Sequence, residues 1–396
     1  MSGRLLPWRA GHAARARPRA HRTRPIDGPP PCVGSARRPR SRSRWATRVA
    51  RRAAACGATL LLLVGVVAAV PPWREEALAA VLLATGELGV PAALPSVTLC
   101  SASRRHPGGA PRRVVPPGRV VAGTLASPAI GGRGRPYYIY LPPGYDLPAL
   151  RQVRYPVVYL LHGSPGQARD WYAGGKINRV ADHLIASCRL APTILVLPDG
   201  NGGLGRDSEY IDRWDGRERD DAYIARDVVG YVDRHLRTRP NPRYRALLGL
   251  SEGGYGAANL VVRHPDVFGA AVAIAGYFRA SPAEVPPWDQ RDDPYGPPGR
   301  NDALLRANSP LLRVATLPPP VRHRLHIFLY DGADDRAYGP AARAFARQLA
   351  RSGVPYVWDT QRDPLPVWPY HNWPYWRRAG ADALVRLSAL FSAPPP

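Results

Sequence analysis

Short apolar runs alternate with longer mixed stretches over the C-terminal two-thirds of the chain. The run from Tyr155 to Leu161 is apolar throughout, which is typical of a strand covered on both faces. Mixed stretches such as Ile177 to Ser187 predict helices. Strands that alternate with helices indicate an α/β fold, with a mostly parallel central sheet and helices on both faces. The other predicted strands are Arg119 to Leu125, Pro136 to Leu141, Thr193 to Leu197, Tyr244 to Leu248, Ala270 to Ala275, His326 to Tyr330 and Val354 to Trp358, and the other predicted helices are Asp221 to Leu236, Tyr255 to Arg263, Pro340 to Arg351 and a terminal helix after His371.

The pattern differs before residue 119, where we expect the globular domain of residues 119–396 to begin. Residues 53–70 contain no charged side chain, and as a helix they would span about 27 Å, close to the ~30 Å core of a bilayer. Arg48, Arg51 and Arg52 precede this stretch. The positive-inside rule therefore predicts a single-pass anchor with a cytoplasmic N-terminus and an extracytoplasmic domain.

A secretory signal peptide that is later removed is the alternative to an anchor, and it would give a secreted protein. No clean small-x-small cleavage site stands before Pro71, so we favour the anchor. Residues 71–118 are then expected to form an interfacial segment and a linker rich in Pro, Gly and Arg.

The charge of the chain is concentrated at its N-terminus. The net charge is +25, and residues 1–52 hold fifteen arginines against the single acid Asp27. This composition predicts a disordered cytoplasmic tail. We expect it to set topology and to contact anionic lipid headgroups, and not to bind nucleic acid, because it contains no recognisable nucleic-acid-binding module.

Four cysteines leave the redox state open. Cys100 and Cys188 would both face an oxidising exterior and could form a disulfide, although a free, buried Cys188 is slightly favoured from the sequence. No Cys/His spacing resembles a zinc site, and we expect neither a metal nor a cofactor. The sequence does not predict the oligomeric state.

The first candidate catalytic residue is Ser251, which lies in the segment Gly249-Leu250-Ser251-Glu252-Gly253 after a buried strand. A strand that turns sharply into a helix strains its central residue and leaves no room for side chains two positions away. The serine is then presented above the sheet, at the N-terminus of a helix that favours developing negative charge. The motif predicts a nucleophilic serine.

A serine nucleophile needs a base and an orienting acid, and in α/β-hydrolases these follow it in the order acid, then histidine. Three acids, Asp331, Asp334 and Asp335, follow the predicted strand that ends at Tyr330. The sequence pattern does not choose among them. His371 is the histidine with the required position, in a loop rich in Pro and Trp ahead of the terminal helix.

Donors for an oxyanion are expected from backbone amides. The Gly-rich segment from His162 to Gly166 follows the third predicted strand and can turn an amide toward the serine. We predict the amide of Ser164 as one donor. The amide of Glu252, directly after the nucleophile, is the other.

Taken together, these motifs resemble the putative esterase family, which includes S-formylglutathione hydrolases, feruloyl esterases, enterochelin-type esterases and secreted mycolyltransferases. The resemblance covers roughly residues 119–391. It implies an α/β-hydrolase fold, and it implies Asp335 as the acid, three residues after a strand-end glycine. The motifs that carry it are YPVVYLLHGSPG at 155–166, Asp170-Trp171, VLPDG at 196–200, GLSEGG at 249–254, His264-Pro265-Asp266 and His371-Asn372-Trp373.

Two positions depart from the family pattern. Glu252 stands where methionine is usual, and we expect its carboxylate to repel acidic substrates or to raise the pKa of His371. Tyr370 stands where glycine is frequent and would narrow the pocket. Segments 285–300 and 364–376, rich in Trp and Pro, are expected to wall the substrate site.

The sequence thus predicts an extracytoplasmic serine esterase with the triad Ser251, Asp335 and His371. Its substrate would be a small-molecule, lipid or sugar ester. The alternatives are an acyltransferase of the mycolyltransferase type that acts on cell-envelope acceptors, and a catalytically silent envelope protein on the same scaffold.

Overall fold

A computed structural model of the 396-residue chain describes residues 116–203, 206–281, 293–297, 299–332, 335–360 and 370–394, with the backbone of Val97–Thr98 and Val114–Val115. The predicted tail of residues 1–52 and the predicted anchor of residues 53–70 lie outside the described residues. None of the helices in the described part is both long and apolar enough to cross a bilayer.

An eight-stranded sheet forms the centre of the molecule, in the order β10-β9-β8-β7-β5-β6-β4-β3. The strands from β10 to β6 run parallel to their neighbours, whereas β4 runs antiparallel to both β6 and β3. This arrangement confirms the mostly parallel sheet expected from the sequence. A separate two-stranded sheet pairs β1 with β2. The strands are β1 Val97–Thr98, β2 Val114–Val115, β3 Arg119–Ala126, β4 Gly134–Leu141, β5 Val157–Leu161, β6 Ile194–Pro198, β7 Arg245–Leu250, β8 Ala270–Ile274, β9 His326–Tyr330 and β10 Tyr356–Asp359.

The central strands are apolar throughout because both of their faces are covered. In β5, Val157, Tyr159 and Leu161 face one hydrophobic core, whereas Val158 and Leu160 face the other. Side chains alternate between the two faces of a strand, so a strand between two helical layers needs apolar residues at every position. All five residues of β5 are buried.

Helices cover both faces of the sheet. The continuous helical stretch from Asp220 to His235, which includes a π-helical turn at Tyr223–Val228, packs into the first core with α5 and α9. Helices α2 and α10 pack into the second core. The helices are α1 Asp170–Ala173, α2 Ile177–Ala186, α3 Asp220–Ala222, α4 Val229–His235, α5 Glu252–Arg263, α6 Asp302–Ala307, α7 Pro310–Arg313, α8 Pro319–Arg322, α9 Gly339–Ser352 and α10 Trp373–Ser392.

The predicted elements lie within a few residues of those observed. The short helices α6, α7 and α8 were not expected, because they occupy a Pro-containing stretch between β8 and β9 without a long periodic pattern. The preference for a free, buried Cys188 is wrong. Cys188 is exposed and disulfide-bonded, at the turn where α2 ends and polar residues face solvent, and the other three cysteines lie outside the described residues.

Candidate active site

The predicted nucleophile lies at the sharp turn between β7 and α5. Ser251 has φ 54° and ψ −123°, a conformation that L-residues rarely adopt. Its amide donates a hydrogen bond to the carbonyl of Ile274 on the neighbouring strand (2.8 Å), which holds the strained turn in place. The side chain is 9% exposed, at the carboxyl edge of the sheet.

The two flanking glycines of this turn are required by contact with backbone. A Cβ on Gly249 would overlap the carbonyl of Gly253, and a Cβ on Gly253 would overlap the carbonyls of His162 and Leu161. Main-chain atoms cannot rotate away as side chains do. The steric reason for the glycines is therefore confirmed.

His371 reaches Ser251 from a loop 120 residues further along the chain. Its Nε2 lies 3.2 Å from the Ser251 Oγ. The side chain of Asn372 caps helix α10 by accepting a hydrogen bond from the amide of Tyr375 (2.8 Å), so the helix starts just after the histidine. The imidazole is held between two aromatic rings: it stacks on Tyr338 (4.9 Å between centroids, 13°) and meets the edge of Trp376 (5.1 Å, 79°).

Desolvation in this aromatic environment lowers the pKa of His371 to about 4. The imidazole is therefore neutral at neutral pH, as a general base must be. The expectation that Glu252 raises the pKa of His371 is wrong, because burial alone accounts for the shift. Within the described residues the Nδ1 atom of His371 has no hydrogen-bond partner.

Asp331 and Asp335 are both buried near the end of β9, whereas Asp334 lies outside the described residues. Asp331 is fully buried and neither of its carboxyl oxygens has a hydrogen-bond partner in the described part, so burial raises its pKa well above the usual range. Asp335 is 8% exposed, and its Oδ1 accepts hydrogen bonds from the amides of Ala337 (2.8 Å) and Tyr338 (3.0 Å). Its buried Oδ2 has no partner among the described residues. Neither acid is hydrogen-bonded to His371.

The Gly-rich loop after β5 approaches the nucleophile closely. A Cβ on Gly163 would lie 3.1 Å from the Cβ of Ser251. His162 anchors this loop: its Nε2 accepts a hydrogen bond from the amide of Gly200 (2.9 Å), so its Nδ1 carries the proton and donates to the carbonyl of Gly163 (2.9 Å). Ser164 follows, with a cis bond to Pro165. The predicted oxyanion donors, the amides of Ser164 and Glu252, remain predictions.

The side chain of Glu252 turns away from the substrate side, so the expectation that it repels acidic substrates does not match its position. It is 2% exposed. Its Oε2 accepts a hydrogen bond from Asn201 Nδ2 and its Oε1 accepts one from the amide of Glu209, each at 3.1 Å. The carboxyl also forms a hydrogen bond with Asp207. No sequence motif had indicated these partners, which lie 43 to 51 residues earlier in the chain.

Two of the aromatic residues expected to wall the substrate site pack instead beneath the histidine loop. Trp373 is 9% exposed and Trp376 is 7% exposed, and their rings are perpendicular, with centroids 5.1 Å apart. Trp373 also packs on the edge of Trp171. Most of the other predicted wall, residues 285–300, lies outside the described residues. In the part of the chain that is described, no cluster of His, Cys, Asp or Glu could hold a metal ion.

Similarity to known proteins is concentrated in the sheet domain. A family model described as putative esterase matches residues 127–387. A stretch of 157 residues is 29% identical to an uncharacterized protein of Corynebacterium glutamicum, covering 39% of this chain and 36% of that protein. Another of 141 residues is 31% identical to an endo-1,4-beta-xylanase/feruloyl esterase of Xylanibacter ruminicola, covering 35% and 19%. The chain thus spans less than half the length of these relatives.

Among solved structures, a ferulic acid esterase superposes with a TM-score of 0.57 at 24% identity, over 69% of this chain and 99% of that one. At this identity the likeness establishes the fold alone. The α/β-hydrolase fold expected from the sequence is confirmed.

Proposed function

The chain belongs to the putative esterase family, and on that premise we propose that it is a serine carboxylic-ester hydrolase with the triad Ser251, His371 and Asp335. One observation carries the proposal. The imidazole Nε2 of His371 lies 3.2 Å from the Oγ of a serine strained into the turn between strand and helix. That is the separation at which a base removes the proton of an attacking hydroxyl.

The reaction proceeds in two steps. The Ser251 Oγ attacks the ester carbonyl while His371 Nε2 takes its proton, and the resulting imidazolium returns that proton to the leaving alcohol. Water then attacks the acyl-serine, again with His371 as base, and releases the carboxylic acid and free Ser251. The Ser164 and Glu252 amides stabilise the negative oxygen of each tetrahedral intermediate.

Asp335 fits the role of the orienting acid better than Asp331 does. With Nε2 directed at the serine, the proton of neutral His371 lies on Nδ1 and needs an acceptor. Asp335 has a buried carboxyl oxygen without a partner in the described residues, while its other oxygen is fixed by two backbone amides. Burial raises the pKa of Asp331 well above its usual range, which favours the neutral form, and a neutral acid stabilises an imidazolium less. Asp335 is therefore our choice.

The catalytic domain is proposed to lie outside the cytoplasm, anchored by residues 53–70. The disulfide at Cys188 supports this location, because disulfides persist in oxidising compartments and are rare in the cytosol. Reporter fusions placed after residue 100 test it. Alkaline phosphatase fused there should be active, and activity of a cytoplasm-only reporter would contradict the proposed topology.

The surroundings of Asp335 suggest which esters to test. A cavity of about 540 Å³ opens beside it, lined in part by Arg336, Arg343 and Arg347. Its lining includes neither Ser251 nor His371, so only an extended anionic acyl group would reach these arginines, which form no ion pair within the described residues. A substrate panel should therefore pair neutral p-nitrophenyl esters of increasing chain length with a dicarboxylic half-ester and a feruloyl ester, the last because one relative carries that name.

A fluorophosphonate probe tests the nucleophile directly. The wild-type protein should be labelled and should hydrolyse at least one ester of the panel, whereas S251A should do neither. The matched control is S187A, which alters an exposed serine at the end of α2 and should behave like the wild type. Equal labelling of S251A and the wild type would contradict the proposed function.

A further inference from the structure

Two carboxyl groups form a hydrogen bond with each other directly behind the nucleophile. Glu252 follows Ser251 in the turn, and its side chain enters a buried space beside residues 206–211, where it meets Asp207. Glu252 is 2% exposed and Asp207 is 4% exposed. Neither group is an established part of the serine-hydrolase machinery proposed above.

A hydrogen bond between two carboxyl groups requires one proton, because an ionised carboxylate can only accept. Both oxygens of Glu252 also accept hydrogen bonds from fixed donors, Asn201 Nδ2 and the Glu209 amide. Burial raises the pKa of both carboxyl groups above the usual range. The two groups therefore hold one proton between them and lose it as a unit.

The described groups that face the pair include a further acid and two tyrosines, and the imidazole of His162 beside it accepts a hydrogen bond through Nε2. Removing the shared proton would leave two buried negative charges in contact, which is strongly unfavourable. The polar and titratable groups that face the pair are Asn201 and Glu209 after β6, His162 and Ser164 after β5, Tyr277 after β8, and Tyr210.

The pair also adjoins one of the two predicted oxyanion donors. Glu252 supplies that donor through its own amide, and its carboxyl group ties the nucleophile turn to residues 206–211. The Glu209 amide donates to both Asp207 (3.1 Å) and Glu252 (3.1 Å), although Glu209 has φ +51°. These bonds hold residues 206–211 in a strained conformation against the nucleophile turn.

We propose that Glu252 and Asp207 share one proton, and that this proton positions the oxyanion donor of Glu252 and sets the upper pH limit of catalysis. The inference rests on the proposed function, because catalysis is what the proton would control. Loss of the proton breaks the hydrogen bond between the nucleophile turn and residues 206–211. It also places a second negative charge beside the position where the transition state develops its own.

The test compares kcat across about pH 6 to about pH 10 in the wild type, E252Q and D207N, each normalised to its own value near pH 6. An amide in either position donates to the remaining carboxylate and has no proton to lose. The wild type should lose about tenfold or more of its kcat at alkaline pH, while both variants stay level. Superimposable profiles, or a wild type that shows no alkaline loss, would overturn the proposal.

A further variant separates positioning from simple packing. E252L is similar in size but cannot form the hydrogen bond, so it should lower kcat at every pH and show no alkaline limb, and E252Q should restore the rate. Equal rates for E252L and E252Q would refute a positioning role. Circular dichroism at each pH excludes unfolding as the cause of any loss.

Infrared spectroscopy of the wild type provides a readout that needs neither a folded variant nor activity. One component of the carboxylic-acid carbonyl band should persist at neutral pH and disappear with the same midpoint as kcat. If no component titrates with the alkaline limb, the shared proton does not exist. If the protein hydrolyses no ester, the proposed function fails. The shared proton would still be supported by a carboxylic-acid component that both E252Q and D207N remove. If the wild type shows no such component, the shared proton is excluded.

Discussion

The nucleophile side and the acid–base side of the candidate site are built differently. Around Ser251 the constraints are backbone contacts, and every oxygen of Glu252, the next residue, has a partner. Around His371, fixation comes from aromatic rings and one helix cap, and Nδ1 of His371 and Oδ2 of Asp335 are both buried without partners in the described residues. The carboxyl group on the nucleophile side thus has its hydrogen-bond partners, whereas His371 and Asp335 on the acid–base side each lack one within the described residues.

This difference indicates where the site has freedom to move. A buried donor and a buried acceptor that both lack partners cost more than the hydrogen bond they would make, so the pair is biased toward closing. We expect a shift of side chains and of the loop before α10 to bring His371 to Asp335. On the nucleophile side the backbone packs closely around Gly249 and Gly253, which leaves less room for a comparable shift. We therefore expect rearrangement during catalysis to be confined to the acid–base side.

The largest predicted effect is the loss of activity when the acid on the acid–base side is replaced. D335N should lower kcat/KM by about 10³–10⁴-fold, since the neutral amide no longer stabilises the imidazolium. A carboxylate paired with Nδ1 raises the pKa of His371, so D335N should also move the acid limb of kcat/KM down toward about pH 4, the pKa of the desolvated imidazole alone. Steady-state kinetics from about pH 4 to about pH 8 measure both effects.

D331N is the matched control. Its activity should remain near that of the wild type, whereas a loss as large as that of D335N would reassign the acid. Because burial raises the pKa of Asp331 in the folded state, the unfolded chain ionises first, and the wild type loses stability as pH rises above about 3.9. D331N cannot ionise and should melt at a higher temperature at neutral pH. Calorimetry should show the two melting temperatures converging near pH 4.

The next prediction compares a glycine from each side. A Cβ at position 253 would overlap two backbone carbonyls, whereas the atoms nearest to a Cβ at position 332 belong to the side chain of Tyr370. G253A should therefore lose about 3 kcal/mol of unfolding free energy. G332A should lose less, because the ring can move, but the shift of Tyr370 displaces the adjacent His371 and lowers kcat. Urea titrations and kinetics on both variants test the pair, and a larger stability loss in G332A would contradict it.

The same contrast explains what the sequence could predict. The turn at Ser251 was predictable because its Gly-x-Ser-x-Gly pattern lies within five consecutive residues, although the carbonyls that require Gly253 belong to Leu161 and His162. The order of acid and histidine followed from strands whose apolar runs were continuous. The direction of the Glu252 side chain was predicted wrongly, because it depends on polar atoms of Asp207 and Glu209 in a segment without periodicity. The stacking of Tyr338 on His371 was likewise invisible, since it joins a loop before α9 to a loop before α10.

The smallest predicted effect on activity concerns the stacking of Tyr338 on His371. Y338A should lower kcat about three- to tenfold, because an aromatic pair contributes about 0.5–1.5 kcal/mol beyond its buried area. Water would then reach the imidazole, and since desolvation is what lowers the pKa of His371, that pKa should rise toward about 6.5 and the acid limb of kcat/KM should move to higher pH. Y338F keeps the ring and should retain the wild-type limb. If Y338A shifts neither kcat nor the limb, the histidine is held by Trp376 and its loop alone, and the acid–base side is more rigid than the structure indicates.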